Sequence, residues 1–512
     1  MSESRTKKSV LNIQIALAFY FLNLILRFFS RKIFLDYLGT EVLGLNTTAQ
    51  NLLGFLNIAE LGIGAAVATT LYAPLYNKDY RKINDIISLQ GWLYRNVAYI
   101  VIGGACILMC FFPLIFSKAQ VPMWYVYASF GAFLYSSLLS YFVNYKQILF
   151  SADQKEYKNT IQIQGWTFIK VLLQMFAVAT LSNGYVWWVI IEVVITTCTA
   201  FTLNRSINHE YSWLKTSVKN GNALRKQYPE IVTKIKQVFF HKIAGFVLTQ
   251  TSPLIIYAYA SLTLVAIYGN YMIIILGITM LMQAMFNSIT AGVGNLVAEK
   301  DEKKIQAIFW ELTIERIWIA AIICFIAFET SDIFISAWIG PEYILETNAF
   351  IVLIITTFIQ LTRTNEIFIA AYGMFQDIGA PVIEAILNLG LSILLGYFWG
   401  LTGVLSGVLI SQLIIVVGWK SYFLYHHAFK RNIAEYSIKY IKYIIIVLGS
   451  AITLHYTIPY IYYPKNQDFL NFIIYALITG ITYSILITAI LLACDIPMRN
   501  SCKRIISIIK RI

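Results

Sequence analysis

The sequence predicts an all-α polytopic membrane protein of about fourteen transmembrane helices, two pseudo-symmetric six-helix lobes plus a C-terminal pair. Three observations lead there. Of 512 residues, 58% are hydrophobic and 13% charged, and the mean hydropathy is +0.67. Apolar stretches of about 20 residues, each long enough to cross a hydrocarbon core, recur along the whole chain, and the short alternating segments of a β-barrel are absent. Third, Lys78-Asp79-Tyr80-Arg81-Lys82-Ile83 returns 222 residues later as Lys300-Asp301-Glu302-Lys303-Lys304-Ile305. Tyr37 and Tyr259, and Gln154 and Gln376, stand at the same offset, with Arg95 one residue out of register with Arg316. Matches in one register at equivalent points of the hydropathy pattern indicate a duplication.

Residues 1–204 make the first lobe, with spans near 10–34, 45–76, 88–116, 122–150, 161–181 and 185–203. The first span leads through a turn at 36–40 into the second. There Asn46, Gln50, Asn57, Glu60 and Gly64 fall on one helical face, a polar stripe unsuited to lipid. Residues 205–236 form a basic linker whose end sets Ile231, Ile235, Val238 and Phe239 on one face, suited to the membrane surface. The second lobe, 237–426, has spans near 239–260, 263–297, 305–328, 348–371, 381–399 and 402–425. Pro253 stands inside the seventh span beside Thr249, Gln250, Thr251 and Ser252, a kink or a freed carbonyl. Gly396, Gly400, Gly403 and Gly407 flank the turn between the eleventh and twelfth spans and favour close helix packing. A further pair, 440–460 and 468–493, lies within 427–494, and the basic tail 495–512 reads as an interfacial helix.

The formal net charge is +13. It points away from nucleic acid, because the basic residues outside the spans gather in the N-terminus, alternate loops and tail. Only Lys118 and Lys465 fall on the other side, an asymmetry that places both termini in the cytosol. The first apolar run is too long for a cleavable leader. The six cysteines form no CxxC pair or disulfide framework. No P-loop, G-x-S-x-G or HExxH occurs, the five histidines lack metal-ligand spacing, and no external loop has room for a catalytic domain. Neither an enzyme nor a resident cofactor is expected.

A charge near the bilayer centre costs roughly 2.5–3.5 kcal/mol even on the mildest scale, so each one requires a partner or a wet cavity. Asn23, Arg27 and Arg31 are spaced by four on the first span, and Arg27 is the deeper arginine. Lys170 has Trp166 four residues before it, Gln174 four after, and no acid on its own span. It lines a cavity or pairs with Glu60 or Glu192. Arg363 has Gln360 and Glu366 at helical spacing and so carries a local pairing alternative. Arg316 stands beside Glu315 and near Glu311. Arg95 and Lys242 lie near span ends, where snorkelling competes with lining a cavity mouth. The excess of cations in the first half favours an anionic ligand.

A buried arginine in the first span is followed by Tyr37-Leu38-Gly39, Glu41-Val42-Leu43-Gly44-Leu45, Ala59-Glu60-Leu61-Gly62-Ile63-Gly64-Ala65-Ala66, Leu71-Tyr72-Ala73-Pro74-Leu75 and the KD-x-RKI loop. This resembles the Wzx-type O-antigen and capsular polysaccharide flippases, lipid-linked oligosaccharide exporters of the MATE-like (MOP) superfamily. The likeness spans the chain in topology and about the first 100 residues in motif. It implies two six-helix lobes around a central cavity in a bacterial inner membrane. The implied cargo is an undecaprenyl-pyrophosphate-linked oligosaccharide, flipped for O-antigen, capsule or exopolysaccharide synthesis beside membrane lipids, a polysaccharide polymerase and chain-length proteins. Arg27 carries over as the first-span arginine and Glu60 as the second-span acid. On the residue reading, Arg31, Arg95, Lys170, Arg316 and Arg363 complete a cationic site. An H⁺ or Na⁺ counter-ion would act through Glu60, Glu192 or Glu366. A multidrug-type cation exporter, or a flippase for another prenyl-linked precursor of peptidoglycan or teichuronic type, stays as the alternative.

Overall fold

The computed structural model describes residues 5–60, 62–236, 239, 251–374, 377, 379–462, 464 and 466–509. Most of the seventh expected span (240–250, with Lys242, Thr249 and Gln250) lies outside these, as do Leu61, Val238, Gln376 and Lys465. The described residues are helical throughout, with no strand among them. The chain divides into two compact units, Met1–Ala266 and Ile267–Ile512.

In the first unit α1 (Arg5–Leu56) carries the first span and the start of the second, broken at Gly39. A φ of 79° there is open to glycine without a Cβ penalty, so the expected turn takes a single residue. α2 (Ile63–Asn77), α3 (Tyr80–Cys110), α4 (Met123–Phe142), α5 (Glu156–Thr180) and α6 (Gly184–Glu210) follow. α5 packs on α6 and α1, and α4 on α1, α3 and α6. The short helix α7 (Ser252–Tyr259) packs on α1. Pro253 sits in its first turn, a position that proline tolerates; the preceding residues that a kink would involve lie outside the described residues.

The second unit takes most of α8 (Leu262–Ala298), then α9 (Glu302–Trp338), α10 (Thr347–Leu361), α11 (Thr364–Ala371) and α12 (Gly379–Gln412). The last three helices are α13 (Ile433–Ile461), α14 (Phe469–Cys494) and α15 (Ile496–Ile509). α9 is its axis, packing on α10, α13, α14 and α15. α12 is two arms joined at Trp399–Gly400, Gly400 having φ +54°. A Cβ at Gly403 would lie 1.9 Å from the Leu395 carbonyl oxygen, and one at Gly407 2.3 Å from the Ser392 nitrogen. The glycines therefore make both the turn and the close crossing, the contact through which helices associate when lipid supplies no hydrophobic drive.

Nine helices among the described residues are long and apolar enough to cross a membrane. A tenth is added when Met123–Phe142 and Asn144–Ala152, bent by 63°, count as one. The tally differs from fourteen where segments are interrupted, joined or, as for most of the seventh span, outside the described residues. Residues 379–429 count once although they break at Gly400, and α2 has only 15 residues. The duplicated loops share one local structure. Lys78 and Lys300 have φ 56° and 58°. Asp79 and Asp301 cap the helices that follow by accepting from the main-chain N–H of Lys82 (3.0 Å) and Lys304 (3.1 Å).

Candidate functional site

The second span is not the continuous helix the hydropathy suggests. After Leu56 it tightens into a 3₁₀ turn, Asn57–Glu60, and resumes at Ile63 past Gly62 at φ +96°. The polar side chains of this turn are held from neighbouring helices. Here Asn57 Oδ1 accepts from Ser137 Oγ (3.1 Å) and Tyr141 OH (2.9 Å), and Glu60 Oε1 accepts from Tyr94 OH (3.1 Å). The Tyr94 and Tyr141 rings stack at 5.6 Å. Before the break, two residues of the polar face expected for this span differ in surroundings: Asn46 is buried and bonded to Ser129, whereas Gln50, one turn on, is exposed.

The first-span cations part ways. Arg31 Nη2 donates to the Ala266 carbonyl at 2.9 Å, a main-chain anchor rather than a free charge. Asn23 donates to Gln164 (2.9 Å), tying α1 to α5. Arg27 is exposed and its guanidinium has no partner among the described residues; the same holds for Arg95 on α3. These are the two sequence-chosen cations that remain available.

Lys170 and Glu192 come together. The ammonium on α5 lies 2.8 Å from Glu192 Oε1 on α6, and Gln174 Nε2 donates to Oε2 at 3.0 Å and to the Trp188 carbonyl at 3.2 Å. Glu192 is 5% exposed with both oxygens engaged. Of the two acids open to Lys170 from sequence, it is Glu192 that pairs. Glu60 bonds Tyr94 and no cation among the described residues.

In the second unit the tenth span is broken at Thr362–Arg363, between α10 and α11. Arg316 on α9 serves the break: Nε donates to the Leu361 carbonyl (3.0 Å) and Nη1 to that of Arg363 (3.2 Å). A cation at the C-terminal end of α10 satisfies orphan carbonyls and complements the helix dipole. The Phe286 ring lies 4.7 Å below the guanidinium. Glu315 and Glu311, the acids expected beside Arg316, turn to the tail instead: Ser501 bonds Glu315, and Arg504 pairs with Glu311 at 2.8 Å.

Arg363 binds Glu366 on its own helix (3.2 Å), the local pair its spacing suggested, and also lies 3.7 Å from Glu384 on α12. Lys420 bonds the same Glu366 oxygen. Arg316, Arg363 and Lys420 thus face Glu366 and Glu384, three cations against two carboxylates. Glu384 and Lys420 escaped the sequence reading. Their signal was present, a charge within an apolar span, but neither has a partner at helical spacing to draw attention. Glu384 Oε1 and both amide atoms of Asn388, one turn further, are buried without hydrogen-bond partners among the described residues.

A third arrangement joins the C-terminal helix pair to α9. Glu329 accepts from Tyr475 OH (3.2 Å) and lies 2.6 Å from His455 Nδ1. His455 edges an apolar cavity of about 530 Å³, walled by residues such as Phe325, Phe328, Val447 and Leu448. No group of His, Cys, Asp and Glu suited to a metal ion occurs among the described residues.

No family model matches the sequence, and no curated protein matches it. Among solved structures the chain is similar to one described as the lipid II flippase MurJ in an inward closed conformation. The TM-score is 0.59 at 15% identity, over 94% of this chain and 98% of that one. It is also similar to an inward-facing multidrug resistance MATE family transporter of the MOP superfamily, with a TM-score of 0.58 at 14% identity over 82% of this chain and 99% of that one. The chain is a multi-pass membrane protein with the fold shared by this flippase and this MOP-superfamily transporter.

Proposed function

We propose that the protein is a flippase that moves a polyprenyl-pyrophosphate-linked oligosaccharide repeat unit across a bacterial inner membrane by alternating access, for O-antigen, capsule or exopolysaccharide synthesis. The observation that carries this reading is Arg27: an intramembrane cation, exposed, without a counter-charge among the described residues. An unpaired guanidinium in a span is stable only against water or an anion, and its planar fork matches a pyrophosphate. Two observations lend support. The likeness to the lipid II flippase covers more of the chain than the likeness to the multidrug transporter. The apolar cavity of about 530 Å³ in the second unit suits a prenyl chain.

Of the three acids open to the cation-exporter alternative, Glu192 and Glu366 are each bound to a cation, which leaves it Glu60. Glu60, bonded to Tyr94 and to no cation among the described residues, is the carboxylate we assign to H⁺ or Na⁺ coupling. Both termini are assigned to the cytosol, and a polysaccharide polymerase and chain-length proteins are the partners this pathway supplies.

Complementation tests the reading. The chain is expressed in a bacterium lacking its own O-antigen flippase, and surface polysaccharide is measured with the host's glycan and with the glycan cluster native to this protein. Restored display with either supports a flippase. Failure with both at normal membrane expression removes the reading.

A further inference from the structure

We propose that the first unit holds a binding site for one neutral sugar ring, in a cavity of about 210 Å³ between α4, α5 and α6. The proposal rests on the flippase reading for the source of that sugar, a residue of the oligosaccharide cargo.

The cavity lies between three apolar helices, and polar side chains share its wall with Leu139, Ile163, Ile195 and Leu203. α4 contributes Ser136 and Ser140, and the bend that ends α4 contributes Asn144 and Gln147. The side-chain groups of Ser136, Ser140 and Gln147 have no partner among the described residues. Asn144 is 9% exposed, and its Oδ1 accepts no hydrogen bond among the described residues. Ser136, Ser140 and Gln147 are half-buried, so their groups are open to an occupant, while the enclosed Asn144 Oδ1 carries the desolvation cost of an unmet acceptor. This wall offers an occupant both donors and acceptors.

The facing wall has the complementary character. Thr167, Thr196 and Thr199 donate their hydroxyl hydrogens to their own helices, at the carbonyls of Ile163 (2.8 Å), Glu192 (2.6 Å) and Ile195 (2.8 Å). Their lone pairs stay open as acceptors. Trp166 adds a flat indole, apolar on its face and a donor at its edge. Lys170 is the cavity's one cation, and Glu192 neutralises it at 2.8 Å. The site thus offers mixed donors and acceptors, an aromatic plate and no net charge.

That combination selects the class of ligand. A phosphate would find no uncompensated cation here and an organic cation no free acid. A pyranose, with hydroxyls that each donate and accept and an apolar C–H face for the indole, meets every group. The volume matches about seven water molecules at ~30 Å³ each, room for one ring and not two.

The test uses the purified full-length protein in detergent, titrated with radiolabelled glucose, galactose, rhamnose, N-acetylglucosamine and N-acetylgalactosamine, with inorganic pyrophosphate as competitor. At least one monosaccharide binds the wild type, at least tenfold more weakly to Trp166→Ala and Asn144→Leu, without competition from pyrophosphate. Ser140→Leu, which fills the cavity and leaves the Lys170–Glu192 pair untouched, abolishes the binding while keeping the wild-type elution profile. Binding of none of the five, equal binding to Ser140→Leu, or displacement by pyrophosphate overturns the site. Export in cells separates the two readings. Wild-type export by both Ser140→Leu and Asn144→Leu removes the sugar site and leaves the flippase standing. A wild type that binds a monosaccharide here but exports nothing with either glycan removes the flippase and keeps the cavity's chemistry.

Discussion

Arg316 donates to the main-chain carbonyl of Arg363 at 3.2 Å, so one intramembrane cation holds the backbone that aims another. Its second donor engages the Leu361 carbonyl at 3.0 Å, and together they close the break between α10 and α11. The two bonds need the fixed fork of a guanidinium, which an ammonium lacks.

Arg316→Lys is therefore expected to lower stability almost as much as Arg316→Gln, by about 2–4 kcal/mol for two charge-assisted bonds. Thermal unfolding in detergent, followed by elution of the folded species, measures it. Wild-type stability of Arg316→Lys would show that charge alone matters at this position.

The Lys170–Glu192 pair is a desolvated ion pair with one carboxylate oxygen left to Gln174. Lys170→Met strands Glu192 and should cost about 3–5 kcal/mol. Lys170→Met combined with Glu192→Gln should recover most of that loss, since no buried charge is left alone. A double-mutant cycle decides; strict additivity of the two single effects would contradict the pairing.

Arg27 and Arg95 have no side-chain partners to strand among the described residues. Arg27→Ala should change stability by no more than about 0.5 kcal/mol and insert normally, yet abolish surface polysaccharide display in the complementation strain. Export at the wild-type level by this variant would sink the assignment of Arg27 to cargo.

The tail helix α15 neutralises a buried acid. Arg504 lies 2.8 Å from Glu311, which is 4% exposed. Truncation after residue 500 should destabilise the protein by about 3–5 kcal/mol through the stranded carboxylate. Glu311→Gln in the truncated protein should restore much of it. No rescue would mean that α15 acts through its apolar face instead.

Several features were legible in the sequence because they are local. Long apolar segments fix an all-helical membrane protein, since a backbone in lipid satisfies its own hydrogen bonds within a helix. Gly39 and Gly400 mark turns because their φ angles favour glycine, and the KD-x-(R/K)-K loops repeat because an aspartate cap needs only the three residues after it. Arg363 and Glu366 pair at i, i+3 as their spacing allows. The tertiary structure decided the rest. It broke the second span after Leu56, where Ser137, Tyr141 and Tyr94 bond the side chains of Asn57 and Glu60, and the tenth at Arg363, where Arg316 bonds the freed carbonyls. It chose Glu192 for Lys170, brought Glu384 and Lys420 to Arg363 and Glu366, and sent Glu311 to the tail. Each of these depends on the rotation and depth of one helix against another. Hydropathy fixes which segments enter the membrane; it is indifferent to rotation about the helix axis, and rotation sets which charges meet.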